Sequence, residues 1–329
     1  MLFLERLIVL RNSVFGKSSP DARIGCFAKV LAAILTAVIG AVAYIIVEGP
    51  CLWNCDPDPI PKEQIVFYSD RTGNFEIYVM DTGGLNLDRL TNHDDLDYDP
   101  VWSPDGEQIV FVSTRDGNYE IYVMNAQGGN LRRLTNYPWG DYQPTWSPDG
   151  TQIAFSSDRD NNRDIYVMNV AGGDLQRLTT HASIDEYPRF SPNGTQIVFA
   201  SERDGNREIY LMDVNGSNLQ RLTNNACWDH APNWAPDGSW IAFIQTCSDD
   251  DYADDDEIYV MDAAGANLQN LTNNSDLDGY PSWSPDGTAI YFHSNREGND
   301  DLYVMDVDGG NPQRLTWNEA EDRYPSLQP

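Results

Sequence analysis

Short apolar runs alternate with polar turns along most of this chain. Residues 109–112 are apolar at consecutive positions, and residues 121–124 repeat the pattern after a polar turn at residues 116–118. A strand that is apolar on both faces must be covered on both faces. The pattern therefore predicts sheets stacked face to face. It disfavours a sandwich with one solvent-exposed face, whose strands would alternate apolar and polar residues.

A turn motif divides the chain into repeats. Its fullest form is Trp-Ser-Pro-Asp-Gly, and a last copy is cut short at residues 324–327. The five complete copies, some with small changes, begin at Trp102, Trp146, Phe190, Trp234 and Trp283. A repeat of about 44 residues that contains only short strands and turns is typical of a four-stranded propeller blade.

Each repeat is interpreted as four strands. One copy has an inner strand at residues 100–102, a second strand at 109–113, a third at 121–124 and an edge strand at 131–135. The six copies of the third strand begin at Ile77, Ile121, Ile165, Ile209, Ile258 and Leu302. The sequence therefore predicts an all-β fold, a six-bladed β-propeller of four-stranded blades, over residues 63–329.

The two ends of the repeat region predict how the ring closes. The chain enters at residues 62–65, just before a second strand, and leaves at residues 324–327, which match an inner strand. We expect the last strand to complete the first blade beside residues 65–69, because one composite sheet removes the open edges of the ring.

The repeated motifs resemble a known family. Ser-Pro-Asp-Gly, Ile-x-Phe-x-Ser-x-Arg and Glu-Ile-Tyr-Val-Met-Asp, followed by Arg-Leu-Thr, are similar to the WD40-like (PD40) repeats of the TolB-type β-propeller family. The resemblance covers residues 63–329 and implies a six-bladed propeller that binds other proteins in a bacterial cell envelope. The chain differs from TolB itself in having a candidate membrane anchor, rather than a separate α/β domain, ahead of the propeller.

The first residues predict a membrane anchor. Residues 30–47 form an unbroken run without charge, long enough to span roughly 27 Å as a helix. Five basic residues precede the run and acidic residues follow it, so the N-terminus is expected in the cytoplasm. We predict a cytoplasmic segment at 1–23, a single transmembrane helix at 24–47, a linker at 48–62 and an extracytoplasmic propeller (periplasmic or extracellular). The alternative is a signal peptide cleaved near residues 41–43.

The charge restricts the partners of the propeller. The whole chain has a formal charge of −30, and residues 51–329 carry 16 Lys and Arg against 48 Asp and Glu. Such a surface repels phosphate backbones, so nucleic acid is not an expected partner. Cations or basic protein surfaces fit it better.

One acidic position recurs in all six repeats, three residues before the inner-strand proline. Its copies are Asp97, Asp141, Asp185, Asp229, Asp278 and Asp322. They are expected on one face, beside the channel mouth. One hypothesis is that they bind a cation or a basic segment of a partner. The other is that each carboxylate caps local backbone N–H groups or pairs with the nearby arginine that follows the second strand.

A second set of charges is expected to brace the hairpins between second and third strands. The arginines are Arg71, Arg115, Arg159, Arg203 and Arg296, and the acidic residues that begin the third strands are Glu76, Glu120, Asp164, Glu208 and Asp301. The predicted contacts are ion pairs across each hairpin.

The fifth repeat departs from the pattern. Cys247 replaces the arginine, and the hairpin expands into an acidic loop that contains Asp249, Asp250, Asp251, Asp254, Asp255 and Asp256. These carboxylates are candidate Ca²⁺ ligands, and a solvated acidic loop is the alternative because the spacing matches no EF-hand. No other cofactor is expected.

The same repeat predicts a disulfide. Cys227 enters this blade and Cys247 ends its second strand, so up-and-down topology places both on one face. An oxidising compartment would allow the bond. Cys51 and Cys55 are a candidate second bridge, while Cys26 is expected to stay reduced in the membrane.

Nothing in the sequence argues for catalysis. The four histidines show no zinc spacing, and neither a Gly-x-Ser-x-Gly motif nor a glycine-rich phosphate loop is present. The leading hypothesis is a non-enzymatic propeller that serves as a protein-binding scaffold or accessory subunit of a membrane complex. The alternative is a propeller enzyme, or a carbohydrate- or cation-binding protein, that acts through the channel mouth.

Overall fold

A computed structural model describes residues 63–247 and 255–329. The predicted cytoplasmic segment, the transmembrane helix at 24–47, the linker, Cys26, Cys51 and Cys55 lie outside the described residues. Within the described part of the chain, no helix has the length and apolar character needed to cross a membrane.

The described residues form 24 strands in six antiparallel four-stranded sheets. The innermost strands are β4 (Asp97–Trp102), β8 (Asp141–Trp146), β12 (Asp185–Phe190), β16 (Trp228–Trp234), β20 (Asp278–Trp283) and β24 (Asp322–Leu327). The second strands are β1 (Gln64–Ser69), β5 (Gln108–Ser113), β9 (Gln152–Ser157), β13 (Gln196–Ser201), β17 (Trp240–Thr246) and β21 (Ala289–Ser294). The third strands are β2 (Glu76–Asp81), β6 (Glu120–Asn125), β10 (Asp164–Asn169), β14 (Glu208–Asp213), β18 (Glu257–Asp262) and β22 (Asp301–Asp306). The outer strands are β3 (Asp88–Arg89), β7 (Arg132–Arg133), β11 (Gln176–Arg177), β15 (Gln220–Arg221), β19 (Gln269–Asn270) and β23 (Gln313–Arg314).

Each sheet is one blade, and the predicted six-bladed propeller is confirmed. Blade 1 has the order β24-β1-β2-β3, and blades 2 to 6 each contain four consecutive strands. The outer strands are shorter than the predicted residues 131–135. The backbone N–H of Ile121 donates to the side chain of Thr135 rather than to a main-chain carbonyl, which ends regular pairing there.

The up-and-down order gives the ring two faces. The turns between first and second strands and between third and outer strands lie on one side, which we call the turn face. The hairpins between second and third strands and the connections to the next blade lie on the other, which we call the hairpin face.

The core lies between the blades. A fully buried phenylalanine occupies each second strand, at Phe67, Phe111, Phe155, Phe199, Phe243 and Phe292. Six apolar clusters join neighbouring sheets; one contains Val66 of blade 1 with Trp102 and Phe111 of blade 2. The last joins Tyr291 of blade 6 to Ile65 and Leu327 of blade 1. Burial of both faces of each sheet, predicted from the apolar runs, is confirmed.

Glycines in the outer turns allow neighbouring blades to approach closely. Gly128 has a φ of 79°, and a Cβ at this position would lie 2.5 Å from the carbonyl oxygen of Leu90 in the preceding blade. Gly309 is in the same situation against Leu271. A side chain at either position would therefore push two blades apart as well as strain the turn.

The predicted closure of the ring is also confirmed. Strand β24 pairs with β1 in antiparallel register, with Ile65 opposite Leu327 and Ser69 opposite Asp322. The backbone N–H of Gln328 also donates to the carbonyl of Gln64 at 2.8 Å. The last strand of the chain therefore completes the first blade.

The predicted disulfide is present. Cys227 lies just before β16 and Cys247 just after β17, their Cα atoms are 4.3 Å apart, and their sulfurs are bonded. The bond joins the start of the innermost strand of blade 5 to the end of its second strand.

Deletion of residues 322–329 should lower the free energy of unfolding by at least about 3 kcal/mol. Burial of Leu327 contributes about 2 kcal/mol, and each lost ladder hydrogen bond adds about 1 kcal/mol. Chemical denaturation followed by tryptophan fluorescence measures the change. Deletion of Pro329 alone is the control, and an unchanged denaturation curve for the longer deletion would contradict the closed ring.

Replacement of both Cys227 and Cys247 by alanine should lower the free energy of unfolding by about 3 kcal/mol, because the bond closes a loop of about 20 residues. Dithiothreitol should destabilise the wild type equally and leave the variant unchanged.

A rescue variant tests what the disulfide replaces. Cys227→Ala with Cys247→Arg and Gln245→Ser installs the serine and arginine that the other five blades carry at these positions, and it should recover part of the lost stability. Equal denaturation midpoints for wild type and the double-alanine variant would show that the bond contributes nothing.

Candidate binding site in the central channel

The six recurring aspartates lie at the start of the innermost strands on the hairpin face, and none of them is exposed. Five accept a hydrogen bond from the guanidinium of the arginine that follows the second strand of the same blade, at 2.5–2.8 Å. The pairs are Asp322 with Arg71, Asp97 with Arg115, Asp141 with Arg159, Asp185 with Arg203 and Asp278 with Arg296. These contacts are the ones predicted by the second hypothesis, in which each aspartate pairs with the nearby arginine. Direct binding of a cation or partner by these carboxylates would require the pairs to open.

Each of these arginines is held on three sides. Arg115 donates from Nε to Ser113 at 2.7 Å and from Nη2 to Asp97, and its guanidinium lies 4.9 Å from the centroid of the Tyr122 ring. The same serine, aspartate and tyrosine contacts recur in blades 1, 3, 4 and 6. The pair therefore clamps the innermost strand to the second strand.

The predicted ion pairs across the hairpins are wrong. The carboxylates that begin the third strands pair outward instead, with Arg89, Arg133, Arg177, Arg221 and Arg314 of the outer strands, at 2.5–2.7 Å. In blade 2, Glu120 also accepts from the hydroxyl of Thr135 and the backbone N–H of Tyr137. These contacts occupy the oxygens of the Glu120 carboxylate, so Arg115 pairs with Asp97 of the innermost strand instead.

Blade 5 holds its aspartate without an arginine. Asp229 accepts from the side-chain amides of Gln245 at 2.8 Å and Asn225 at 2.7 Å. Burial raises the pKa of Asp229 to about 6, although these hydrogen bonds act in the opposite direction. The disulfide between Cys227 and Cys247 therefore stands where the other blades use a non-covalent clamp of arginine and aspartate.

The Ca²⁺ hypothesis concerns a loop that lies mostly outside the described residues. Asp249, Asp250, Asp251 and Asp254 belong to it, while Asp255 and Asp256 are described. Asp256 accepts a hydrogen bond from the hydroxyl of Thr246. Within residues 63–247 and 255–329, no group of three or more His, Cys, Asp or Glu side chains is placed to hold a metal ion.

A ring of residues that the sequence did not single out lines the channel. The residue before the inner-strand proline has a left-handed backbone in all six blades, with φ between 48° and 60°. These residues are Asp99, Gln143, Tyr187, Ala231, Tyr280 and Tyr324. The register between the innermost and second strands shifts at each of these positions, so the innermost strand bulges and the direction of the side chain changes.

Contacts between blades that are not neighbours show that these side chains meet across the channel. The hydroxyls of Tyr187 in blade 4 and Tyr280 in blade 6 are 3.2 Å apart. Arg189 of blade 4 donates to the hydroxyl of Tyr324 in blade 1 at 2.6 Å. The rings of Tyr280 and Tyr324 are also in contact, with centroids 4.6 Å apart. Three tyrosines and one arginine thus contact one another across the middle of the channel.

Most groups in the channel are uncharged at neutral pH. Burial lowers the pKa of His230 and of His293 to about 3 and raises that of Tyr324 to about 12. Burial raises the pKa of Asp99 to about 7, while the positive charge of Arg189 acts in the opposite direction. Among the described residues, the Nδ1 atoms of both histidines lack a hydrogen-bond partner.

Aromatic residues form an arc along part of the channel mouth on the hairpin face. Tyr68, Tyr98, Tyr119 and Tyr142 are in ring contact in that order, with successive centroids 4.9–6.2 Å apart.

Charged residues continue this arc to blade 5. Arg163 lies over the Tyr142 ring at 4.3 Å and pairs with Glu186, which also pairs with Arg207. Arg207 lies over Trp228 at 5.2 Å. The arc therefore runs from blade 1 to blade 5 without a break.

Four exposed aromatic residues lie along this arc, and we call them the mouth surface. They are Tyr119, Tyr137, Trp139 and Trp228, with exposed fractions of 37–51%. The loop that carries two of them is fixed, because Asn118 donates to the carbonyls of Tyr137 at 2.7 Å and Trp139 at 3.0 Å. Asn118 belongs to the Asp-Gly-Asn hairpin, so the repeat itself orders the surface.

Variation among the repeats could have revealed these residues. The position before the inner-strand proline holds Asp, Gln, Tyr, Ala, Tyr and Tyr, between an aspartate and a proline that recur in all six copies. A side chain that varies among the copies of a regular repeat is not needed for the packing of the blade. The exposed aromatics of the connecting loops carry the same signal.

Comparison with known proteins agrees with the fold. TolB from Acinetobacter baumannii is 25% identical, with a TM-score of 0.71, and the match covers 81% of this chain and 66% of that chain. A protein assigned to TolB from Agrobacterium tumefaciens is 22% identical over 81% of this chain and 90% of that chain, with a TM-score of 0.64. Oligogalacturonate lyase from Vibrio parahaemolyticus is 16% identical, with a TM-score of 0.55 over 77% of this chain and 74% of that chain. The last two show the fold alone.

The sequence comparisons identify the family. Comparison with curated protein sequences gives no significant match. The family model described as the TolB β-propeller domain (PD40) matches residues 53–142, 135–252 and 229–329. These matches cover all six blades. The chain therefore belongs to the TolB β-propeller domain family.

Proposed function

We propose that this protein is a membrane-anchored, extracytoplasmic propeller that binds a protein partner through the mouth surface, as a scaffold or accessory subunit of a membrane assembly. The observation that carries the proposal is the set of exposed, pre-positioned aromatic residues on the hairpin face. Tyrosine, tryptophan and arginine are the residues that contribute most to protein–protein binding.

The mouth surface suits binding because its side chains are already ordered. Asn118 fixes the loop of Tyr137 and Trp139, and Arg207 stacks on Trp228. Arg159 lies 5.3 Å from the centroid of the Tyr137 ring. A pre-organised aromatic surface loses little conformational entropy when a partner binds.

The channel supports a binding role rather than a catalytic one. Four of its polar side chains are engaged with one another: Arg189 with Tyr324, and Tyr187 with Tyr280. Because burial keeps His230 and His293 neutral down to about pH 3, neither is poised as a general acid or base near pH 7. We therefore propose that the protein is not an enzyme.

The anchor and location rest on two observations. The uncharged run at residues 30–47 has the length of a membrane span, with basic residues before it. The disulfide between Cys227 and Cys247 fits an oxidising compartment outside the cytoplasm.

Loss of the mouth surface should release the partner. Trp139→Ala with Trp228→Ala is expected to weaken the complex by at least about 2 kcal/mol, as removal of hot-spot tryptophans does. Native gels of detergent-solubilised membranes from the natural host, probed for this protein, should show a large species for the wild type and a small one for the variant.

The matched control is Leu175→Ala, which removes an exposed apolar side chain from the turn face and should leave the large species intact. A double variant that migrates with the wild-type complex, or a wild type that is already monomeric, would refute this use of the mouth surface.

Labelling with a membrane-impermeant maleimide tests the topology. A cysteine at the exposed position of Leu175 (Leu175→Cys) should react in intact spheroplasts above the wild-type background. A cysteine introduced by Ser13→Cys should react only after permeabilisation. The reverse pattern, or labelling of neither position in intact spheroplasts, would be incompatible with an extracytoplasmic propeller.

A further inference from the structure

A groove on the turn face separates blades 5 and 6. It has a volume of about 620 Å³. Its apolar lining includes Ala235, Pro236 and Trp240 from blade 5 and Trp283, Pro285 and Val307 from blade 6. It lies on the face opposite the mouth surface, so a ligand in this groove would bind independently of the mouth surface.

Blade 5 differs from the repeat where it lines this groove. Trp240 is the first residue of β17, and the same position holds Gln108, Gln152 and Gln196 in blades 2 to 4. Trp240 packs partly against the cluster between blades 5 and 6 and remains half-buried. An indole therefore borders the groove where blades 1 to 4 offer an amide and blade 6 offers an alanine.

The turn of blade 5 is altered as well. Ser103 of blade 2 donates its hydroxyl hydrogen to Asp105 and accepts from the backbone N–H of Gln108. Ala235 replaces this serine in blade 5. The wall of the groove is thus apolar where the repeat is polar.

Three carboxylates lie at the edge of this apolar lining. Asp237, Asp286 and Asp308 accept hydrogen bonds within their own turns, from Ser239, Thr288 and Gly310 respectively. Hydrogen bonds from Ser239 hold the pKa of Asp237 below its usual range. Those from Ser284 and Thr288 do the same for Asp286. Both groups are therefore ionised at neutral pH.

No cation neutralises these groups within the described parts of the chain. Most arginines there pair with carboxylates of the hairpin face and the outer strands. Arg132 donates to a backbone carbonyl and Arg189 to a backbone carbonyl and a tyrosine, so none of the described arginines pairs with Asp237, Asp286 or Asp308. The groove therefore combines a partly exposed indole with uncompensated negative charge.

We propose that this groove binds an arginine side chain presented by a basic segment of a partner protein. A guanidinium can stack on the indole of Trp240 while its N–H groups reach Asp237 or Asp286. The formal charge of −30 on this chain favours a basic partner. An apolar segment would leave the carboxylates without a counter-charge.

Peptide titration tests the proposal on the full-length protein in detergent. The probe is an acetylated Gly-Arg-Gly-Arg-Gly amide, and its citrulline counterpart has nearly the same shape without the charge. Calorimetry at an ionic strength of about 0.15 M limits non-specific attraction to the acidic surface. The arginine peptide should bind at least about tenfold more tightly than the citrulline peptide, because ionised partners strengthen hydrogen bonds.

Trp240→Gln is the sharpest variant, because it installs the residue that blades 2 to 4 already carry and leaves the charge unchanged. It should weaken binding of the arginine peptide roughly 3- to 30-fold, the range that a cation–π contact provides. Gln196→Trp, the matched change between blades 4 and 5, should not alter binding. Asp237→Asn with Asp286→Asn should also weaken binding, and it serves as the second test should Trp240→Gln unfold.

Three results would overturn the proposal. One is equal affinity of wild type and Trp240→Gln for the arginine peptide. Another is equal binding of the citrulline peptide, which would show that the groove does not recognise the positive charge. The third is displacement of the arginine peptide by cellohexaose, which would indicate a neutral saccharide instead.

Discussion

Apolar packing between neighbouring blades is the interaction on which the rest of this structure depends. Each sheet buries both of its faces, so no blade is stable apart from its neighbours. The six interblade clusters therefore act as one closed core, and the cluster between blades 6 and 1 exists only because β24 returns to pair with β1. Strand closure and core packing are in this sense one constraint.

Buried ion pairs set the geometry at the centre of the ring. A clamp such as Asp97 with Arg115 removes a carboxylate from water and compensates it with a guanidinium, a serine and a tyrosine ring in a fixed arrangement. Such a pair gives little net stability but is strongly destabilising when broken. Blade 5 uses amide donors and a disulfide instead, and burial raises the pKa of its aspartate, Asp229, to about 6. The blade without the arginine is also the blade that carries Trp240 and the expanded acidic hairpin.

The features that could be predicted from the sequence are those that the length and phase of the repeat determine. The number of blades follows from six third strands, and closure follows from the partial repeats at each end. The partner of Arg115 could not be settled in this way, because Asp97, Ser113 and Glu120 lie in one row across the sheet and two carboxylates flank the same serine. The partner of Arg115 depends on the outer strand, because Arg133 of that strand pairs with Glu120 and leaves Asp97 for Arg115.

The channel lining was missed for a different reason. A regular strand would alternate its side chains between the two faces of the sheet, but the left-handed residue before each proline turns toward the axis of the ring. Strand periodicity contains no signal for such a bulge. The tyrosines that meet across the channel come from blades far apart in sequence, so no local pattern connects Tyr187 with Tyr280 or Tyr324.

The composite first blade also has a consequence for the order of events during synthesis. Strand β1 ends at Ser69, and its partner β24 does not begin until Asp322. At a translation rate of about 5–20 residues per second, β1 waits roughly 12–50 s with one edge unpaired. Blades 2 to 6, by contrast, have all of their strands soon after they emerge. A pause or truncation late in translation therefore exposes a strand made at the start, and that open edge is a template for pairing with another chain.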